Sequence, residues 1–211
     1  MSYIVFGRLR TSDFGLIVAP YEIPMPPAQT NYVEIPGRNG SLDLTEAFGG
    51  VRYGDRVINL TLYAVGDYRA RLFEFTNLFH GQRFPIVFDK DPDYTYAGRI
   101  DVNGITKHDA YTEVSITITA EPYKLEAAET TVSVTNSGRV NLVNGAMPVT
   151  PVIKTTAETM LQFTYNGASM TVRLSEGERV VPQLTLEANS TLRVTVASTG
   201  TTTFAYRKGW L

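Results

Sequence analysis

Cysteine is absent from the 211 residues, and only two histidines are present. The first absence excludes disulfides, thiol catalysis and thiolate metal sites. It does not fix the compartment, because a cysteine-free chain suits both cytosol and exterior. No run approaches the ~18 apolar residues of a membrane span. The opening residues, Met1-Ser2-Tyr3-Ile4-Val5-Phe6, lack the basic region and longer apolar core of a signal peptide. The expectation is a protein made soluble in the cytoplasm. A net charge of −2 gives no global electrostatic case for nucleic acid or an anionic membrane. With 43% hydrophobic and 19% charged residues, the composition is that of a packed protein rather than a disordered one.

Catalytic sets are equally hard to find. His80 follows an apolar helical stripe, where it is expected to cap carbonyls or complement the helix dipole. His108, in Lys107-His108-Asp109-Ala110, reads as a solvated hairpin tip. No His-x-x-x-His pair and no Gly-x-Ser-x-Gly elbow occurs. Asp89-Lys90-Asp91-Pro92-Asp93 resembles a calcium loop only superficially. The sixth and twelfth positions, which need glycine and glutamate, are Tyr94 and Ile100, so the segment reads as a charged turn after an edge strand. Residues 126–211 contain no aspartate and no histidine, so a glycosidase there would rely on glutamates alone. The expectation is no catalytic residue, no metal and no cofactor. A carbohydrate-binding role remains as the alternative, with Tyr165, Tyr206 and Trp210 as candidates to stack on sugars.

The two halves follow different patterns. Ile58, Leu60, Leu62 and Ala64 alternate along one strand, and Val114, Ile116 and Ile118 along another. Phe84–Phe88 and Gly98–Val102 read as shorter strands. One helix is predicted from Asp67 to Phe79, with Leu72, Phe75, Leu78 and Phe79 as its apolar stripe, Asp67 as N-cap and Gly81 as the C′ residue. This is an α+β unit, an antiparallel sheet with one helix. The second half opens with the strongest hairpin signal, Leu161–Tyr165 and Ser169–Leu174 around Asn166-Gly167. Short strands follow at 179–181, 184–186, 192–196 and 202–206. Many strands without a helix indicate an all-β sandwich or jelly roll. The boundary is placed in Lys124–Thr131, giving domains 1–125 and 126–211.

The richest segment is Glu34–Arg56, with Gly37, Gly40, Gly49, Gly50 and Gly54 among mixed charges. Glycines this dense permit positive φ or close approach. The segment therefore either cradles a ligand or shapes an interface. It lacks the lysine and apolar helix of a phosphate loop.

The order of segments resembles the distal tail protein family of long non-contractile-tailed phages and prophages. The residues that carry the resemblance are Phe6-Gly7-Arg8-Leu9-Arg10-Thr11-Ser12-Asp13-Phe14-Gly15-Leu16, then Ile35-Pro36-Gly37-Arg38-Asn39-Gly40-Ser41-Leu42-Asp43-Leu44-Thr45-Glu46, then Tyr53-Gly54-Asp55-Arg56 entering a strand. Phe88–Arg99 continues the match, and Tyr206-Arg207-Lys208-Gly209-Trp210-Leu211 is similar to the family's closing residues. The resemblance implies a galectin-like jelly roll for the second half and a homo-hexameric hub ring of the first domains, with the second domains projecting outward. Such a ring joins the tail tube protein to a tail-tip or baseplate protein (a tail-associated lysin or fibre), and its central channel passes DNA. It belongs to the virion tail tip and is assembled in the host cytoplasm, with no membrane. A cyclic ring needs two different matching patches per subunit. Arg38, Asp43, Glu46, Arg52, Asp55 and Arg56 offer both signs of charge for that registry.

Overall fold

The computed structural model describes residues 2–47, 49–66 and 69–211. Contacts divide the chain into two units, Met1–Pro122 and Tyr123–Leu211. Each unit has its own hydrophobic core.

The first unit contains β1 (Ile4–Phe6), β2 (Leu9–Arg10), β3 (Leu16–Val18), β4 (Ala28–Gln29), β5 (Tyr32–Val33), β6 (Leu42–Asp43), β7 (Arg52–Tyr53), β8 (Arg56–Ala64), α1 (Arg69–Phe79), β9 (Arg83–Phe88), β10 (Asp91–Lys107) and β11 (Thr112–Ala120). The main sheet runs β2-β1-β9-β10-β11-β8-β3, with antiparallel neighbours throughout. Strict alternation builds it. Along β8 the buried residues are Arg56, Ile58, Leu60, Leu62 and Ala64, and along β11 they are Thr112, Val114, Ile116, Ile118 and Ala120. Helix α1 covers this buried face through Leu72, Phe75 and Phe79. Phe79 meets Phe6 at 5.3 Å between ring centroids, and Phe75 meets Phe14 at 5.4 Å. Rings at these separations add about 0.5–1.5 kcal/mol per pair beyond their area burial.

Two helix expectations are corrected or fall outside the description. Leu78 is exposed, because one residue of helix turns it ~100° away from Phe79 and off the stripe. The N-cap at Asp67 lies outside the described residues. Gly81 takes φ +72° just past the helix, a conformation that favours glycine. The opposite face of the sheet is polar. Asn103 Nδ2 donates to Thr117 Oγ1 at 2.6 Å, and Thr117 donates to Asn59 Oδ1 at 3.0 Å, a row crossing β10, β11 and β8.

The second unit contains β12 (Lys124–Glu126), β13 (Thr130–Thr135), β14 (Gly138–Val143), β15 (Val152–Thr155), β16 (Thr159–Tyr165), β17 (Ala168–Leu174), β18 (Gly177–Val180), β19 (Thr191–Ser198), β20 (Thr201–Tyr206) and β21 (Gly209–Trp210). Two four-stranded antiparallel sheets, β13-β20-β15-β18 and β14-β19-β16-β17, share one core that includes Leu142, Ile153, Leu161, Val194 and Phe204. Asn166 (φ 49°) and Gly167 (φ 78°) both lie in the left-handed region that a type I′ hairpin turn demands. Residues 184–186 are not a strand. Leu184 closes a turn onto Val181 and Leu186 makes an isolated bridge with Val149, yet both leucines are fully buried. The expected polar linker is also partly structured, since β12 pairs with β21 through Lys124↔Trp210 and Leu125↔Gly209.

Candidate assembly interface

The glycine-rich segment folds into a ribbon that leaves the main sheet and returns to it. β4 pairs with β7 (Ala28↔Tyr53, Gln29↔Arg52), and further out β5 pairs with β6 (Tyr32↔Asp43, Val33↔Leu42). Backbone bonds from Gly54 N to Pro27 O (2.8 Å) and from Leu44 N to Asn31 O (2.8 Å) continue the ladder. At the tip, Arg38 N donates to Ile35 O at 3.1 Å. Pro36 and Gly37 (φ +84°) occupy the two central positions, the residue order of a type II turn. A Cβ added at Gly37 or Gly40 would meet nothing within 4 Å. These glycines serve backbone conformation, and neither marks a close approach within the chain.

Residues 27–41 are exposed without interruption. They carry large apolar side chains with no core of their own: Tyr32 at 58%, Val33 at 41% and Ile35 at 42% exposure. A two-stranded ribbon is marginal in water by itself, and burying these exposed apolar side chains against another surface would stabilise it. Asp43 braces the ribbon. Its carboxylate accepts from Thr45 N at 2.9 Å, and bonds from the Thr45 side chain and backbone, with a further one from Tyr32, hold it below the ordinary carboxylate range.

Five of the six predicted interface charges decorate this ribbon and its base: Arg38 at the tip, Asp43 on β6, Glu46 in the return excursion, Arg52 on β7 and Asp55 beside β8, all exposed. The side chains of Arg38, Glu46, Arg52 and Asp55 make no ion pair among the described residues. Arg56 is the correction. It is 2% exposed, donating from Nη1 to Pro24 O at 2.5 Å and from Nη2 to Pro122 O at 3.0 Å. Burial lowers its pKa against the opposing pull of Tyr96 and Asp91. The signal was present in the sequence: Arg56 shares the parity of Ile58, Leu60, Leu62 and Ala64, which points inward.

The three sugar-stacking candidates do not form one exposed platform. Tyr206 is 5% exposed, and its hydroxyl both donates to Val143 O (2.9 Å) and accepts from Val143 N (3.0 Å). Trp210 is partly buried, and its Nε1 donates to Glu126 Oε1 at 3.1 Å. Among the three, Tyr165 alone is exposed, at 42%. The remaining titratable motifs hold structure. His80 Nδ1 accepts from Val102 N at 3.1 Å, so the ring bonds to a strand and not to the helix carbonyls expected. His108 stacks on Tyr111 at a hairpin tip, 4.5 Å between centroids. β9 lies between β1 and β10 and is not the edge strand expected before Asp89. Asp89 accepts from Ser2 Oγ (2.5 Å) and from the Tyr21 hydroxyl, and Asp91 from the Tyr96 hydroxyl (2.6 Å). No cluster of three or more metal-ligating side chains occurs among the described residues.

The first unit is β-rich, with one helix among the described residues and a mixed-charge ribbon standing out from its main sheet. Residues 11–120, which are 110 of the 211, match the profile of the phage tail protein RIFT-related domain, and the chain belongs to this family. Its whole fold also matches the crystal structure of SPP1 Dit (gp 19.1), described as a paradigm of the hub adsorption apparatus in phages that infect Gram-positive hosts. The TM-score is 0.71 over 100% of both chains, at 16% identity. At that identity the likeness is one of fold. A search of curated protein sequences finds no match.

Proposed function

We propose that the chain is a distal tail hub protein, six copies of which close into a ring between the tail tube protein and a tail-tip or baseplate protein. In this reading the role is structural and non-enzymatic, the first units form the ring, and DNA passes through its channel. The second unit is read as the galectin-like jelly roll that accompanies such rings.

The observation that carries the reading is the ribbon. It exposes apolar and charged side chains on paired backbone that nothing in its own unit covers. A cyclic ring needs such an element on one face and a different receiving patch on the next copy. Light scattering and native mass spectrometry test the assembly. A hexamer mass, alone or with tube or tip protein, is the expected result. A strict monomer at all concentrations, with no ring induced by either partner, would remove the proposal.

A further inference from the structure

The two sheets of the second unit present different outer faces. On the β13-β20-β15-β18 sheet, Lys154 lies opposite Glu178 and pairs with it at 3.1 Å. The β14-β19-β16-β17 sheet has no such balance. Its outward positions include Arg139, Asn141, Arg193, Thr195, Gln162 and Thr171, and none on its four strands is aspartate or glutamate. Arg173 is also outward, but its charge is met by Glu158 at 3.4 Å from before β16. Arg139 and Arg193 have no side-chain partner among the described residues. Register sets Arg139 opposite Thr195 and Arg193 opposite Asn141. The two guanidinium-bearing residues are therefore diagonal neighbours on adjacent strands, roughly 7–8 Å apart. Gln162 lies opposite Thr195 on its other side, and Thr171 opposite Gln162. A continuous row of Arg139, Thr195, Gln162 and Thr171 thus crosses all four strands.

We propose that this face binds an anionic glycan, a hydroxyl-rich polymer bearing carboxylates or phosphodiesters. Two unneutralised arginines side by side repel each other, and an anion between them removes that repulsion. The guanidinium fork matches both carboxylate and phosphate. Asn141, Gln162, Thr171 and Thr195 supply donors and acceptors for sugar hydroxyls. A protein partner is less well matched, since interfaces centre on apolar anchors. Here the exposed Val143 and Met160 sit at opposite ends of the sheet, beside Thr191 and Ala197 respectively. The inference stands apart from the hub reading, because it uses neither the ribbon nor the ring.

Calorimetric titration of the full chain at low salt tests it, with hyaluronate, poly(glycerol phosphate), neutral dextran and a charge-matched single-stranded DNA as probes. At least one anionic glycan binds and dextran does not. Hyaluronate alone would assign a carboxylate ligand, and poly(glycerol phosphate) alone a phosphodiester. The double variant Arg139→Gln/Arg193→Gln weakens that binding about tenfold or more, while Lys154→Gln on the other sheet leaves it unchanged. Both guanidinium groups are exposed, so circular dichroism should show the double variant folded. Silence of both glycans, equal binding by the double variant, or DNA binding as tight as the best glycan and lost in that variant would each overturn the proposal.

Discussion

The Arg56 guanidinium lies 5.4 Å from the centroid of the Tyr96 ring, inside the first unit. It joins the chain before the ribbon to the end of the unit through the Pro24 and Pro122 carbonyls. Its Nε is buried without a partner among the described residues, so the two Nη bonds and the ring carry the compensation for a desolvated cation. Arg56→Ala leaves two carbonyls and a cavity, and should cost about 2–4 kcal/mol. Arg56→Lys, lacking the fork that reaches both carbonyls, should recover only part of that. Urea unfolding followed by far-UV circular dichroism measures both. A loss under about 0.5 kcal/mol for the alanine variant would contradict the anchoring role.

The ribbon should behave in the opposite way. Val33→Ser combined with Ile35→Ser, or Arg38→Glu alone, changes exposed side chains that touch no core. Stability should stay within about 0.5 kcal/mol of the parent. Ring formation should fall sharply, because weakening one heterologous interface weakens every interface of the proposed closed ring. Sedimentation velocity on parent and variants reads this directly. Rings that persist in all the variants would take the ribbon out of the interface.

What the sequence made legible follows from periodicity. β8 and β11 alternate over nine residues each, so their existence and facing could be read directly. The Asn166-Gly167 turn was equally plain, because two adjacent positive φ values leave few other residue choices. Arg56 was misread because charge was weighed above parity. Tyr206 was misread because a buried hydroxyl with two backbone bonds looks, in sequence, like any aromatic near an end. Residues 184–186 failed for a third reason: Leu184 and Leu186 alternate as a strand would, but their backbones bond to a turn and an isolated bridge. The ribbon's glycines could be seen, but not its pairing, because two-residue ladders leave no periodic trace.

Stability should depend on pH at both extremes through one cluster. Tyr96 and Tyr21 are pushed above the ordinary phenol value, first by burial and then by donating to Asp91 and Asp89. A raised folded pKa means that stability is fully present below the unfolded tyrosine value of about 10, and is lost as pH climbs through the folded values. Asp89 runs the other way. Burial works upward, but bonds from Ser2, Tyr21 and backbone amides bring its carboxyl below the usual range. Its contribution is present above the unfolded value of about 3.9 and lost as pH falls through the lower folded one. Urea midpoints measured from pH 3 to pH 11 should therefore fall at each end. Tyr96→Phe should flatten the alkaline limb. An alkaline limb equally steep in Tyr96→Phe and Tyr21→Phe would exclude these phenols as its source.

Asn144 should be the costliest polar residue to replace in the second unit. It is 7% exposed, and its Nδ2 donates to the carbonyls of Met147 (2.7 Å), Leu186 (2.9 Å) and Glu187 (3.1 Å). Its backbone N reaches Ser190 O at 3.0 Å, so one residue ties the irregular 184–190 segment to the end of β14. Asn144→Ala takes a donor from all three carbonyls, though Leu186 O keeps Val149 N and Glu187 O keeps Ser190 Oγ, and should cost about 1–3 kcal/mol. Asn144→Asp should cost more at neutral pH, because Gly209 N donates to one side-chain oxygen at 3.4 Å while the other oxygen of a carboxylate would face the three carbonyl acceptors. Protonating that carboxylate restores one donor, so part of the loss should return on acidification. Trp210, the only tryptophan, packs against the neighbouring Gly145 position and reports this region by fluorescence. An aspartate variant as stable as the parent at neutral pH would show that the three carbonyls do not depend on Asn144.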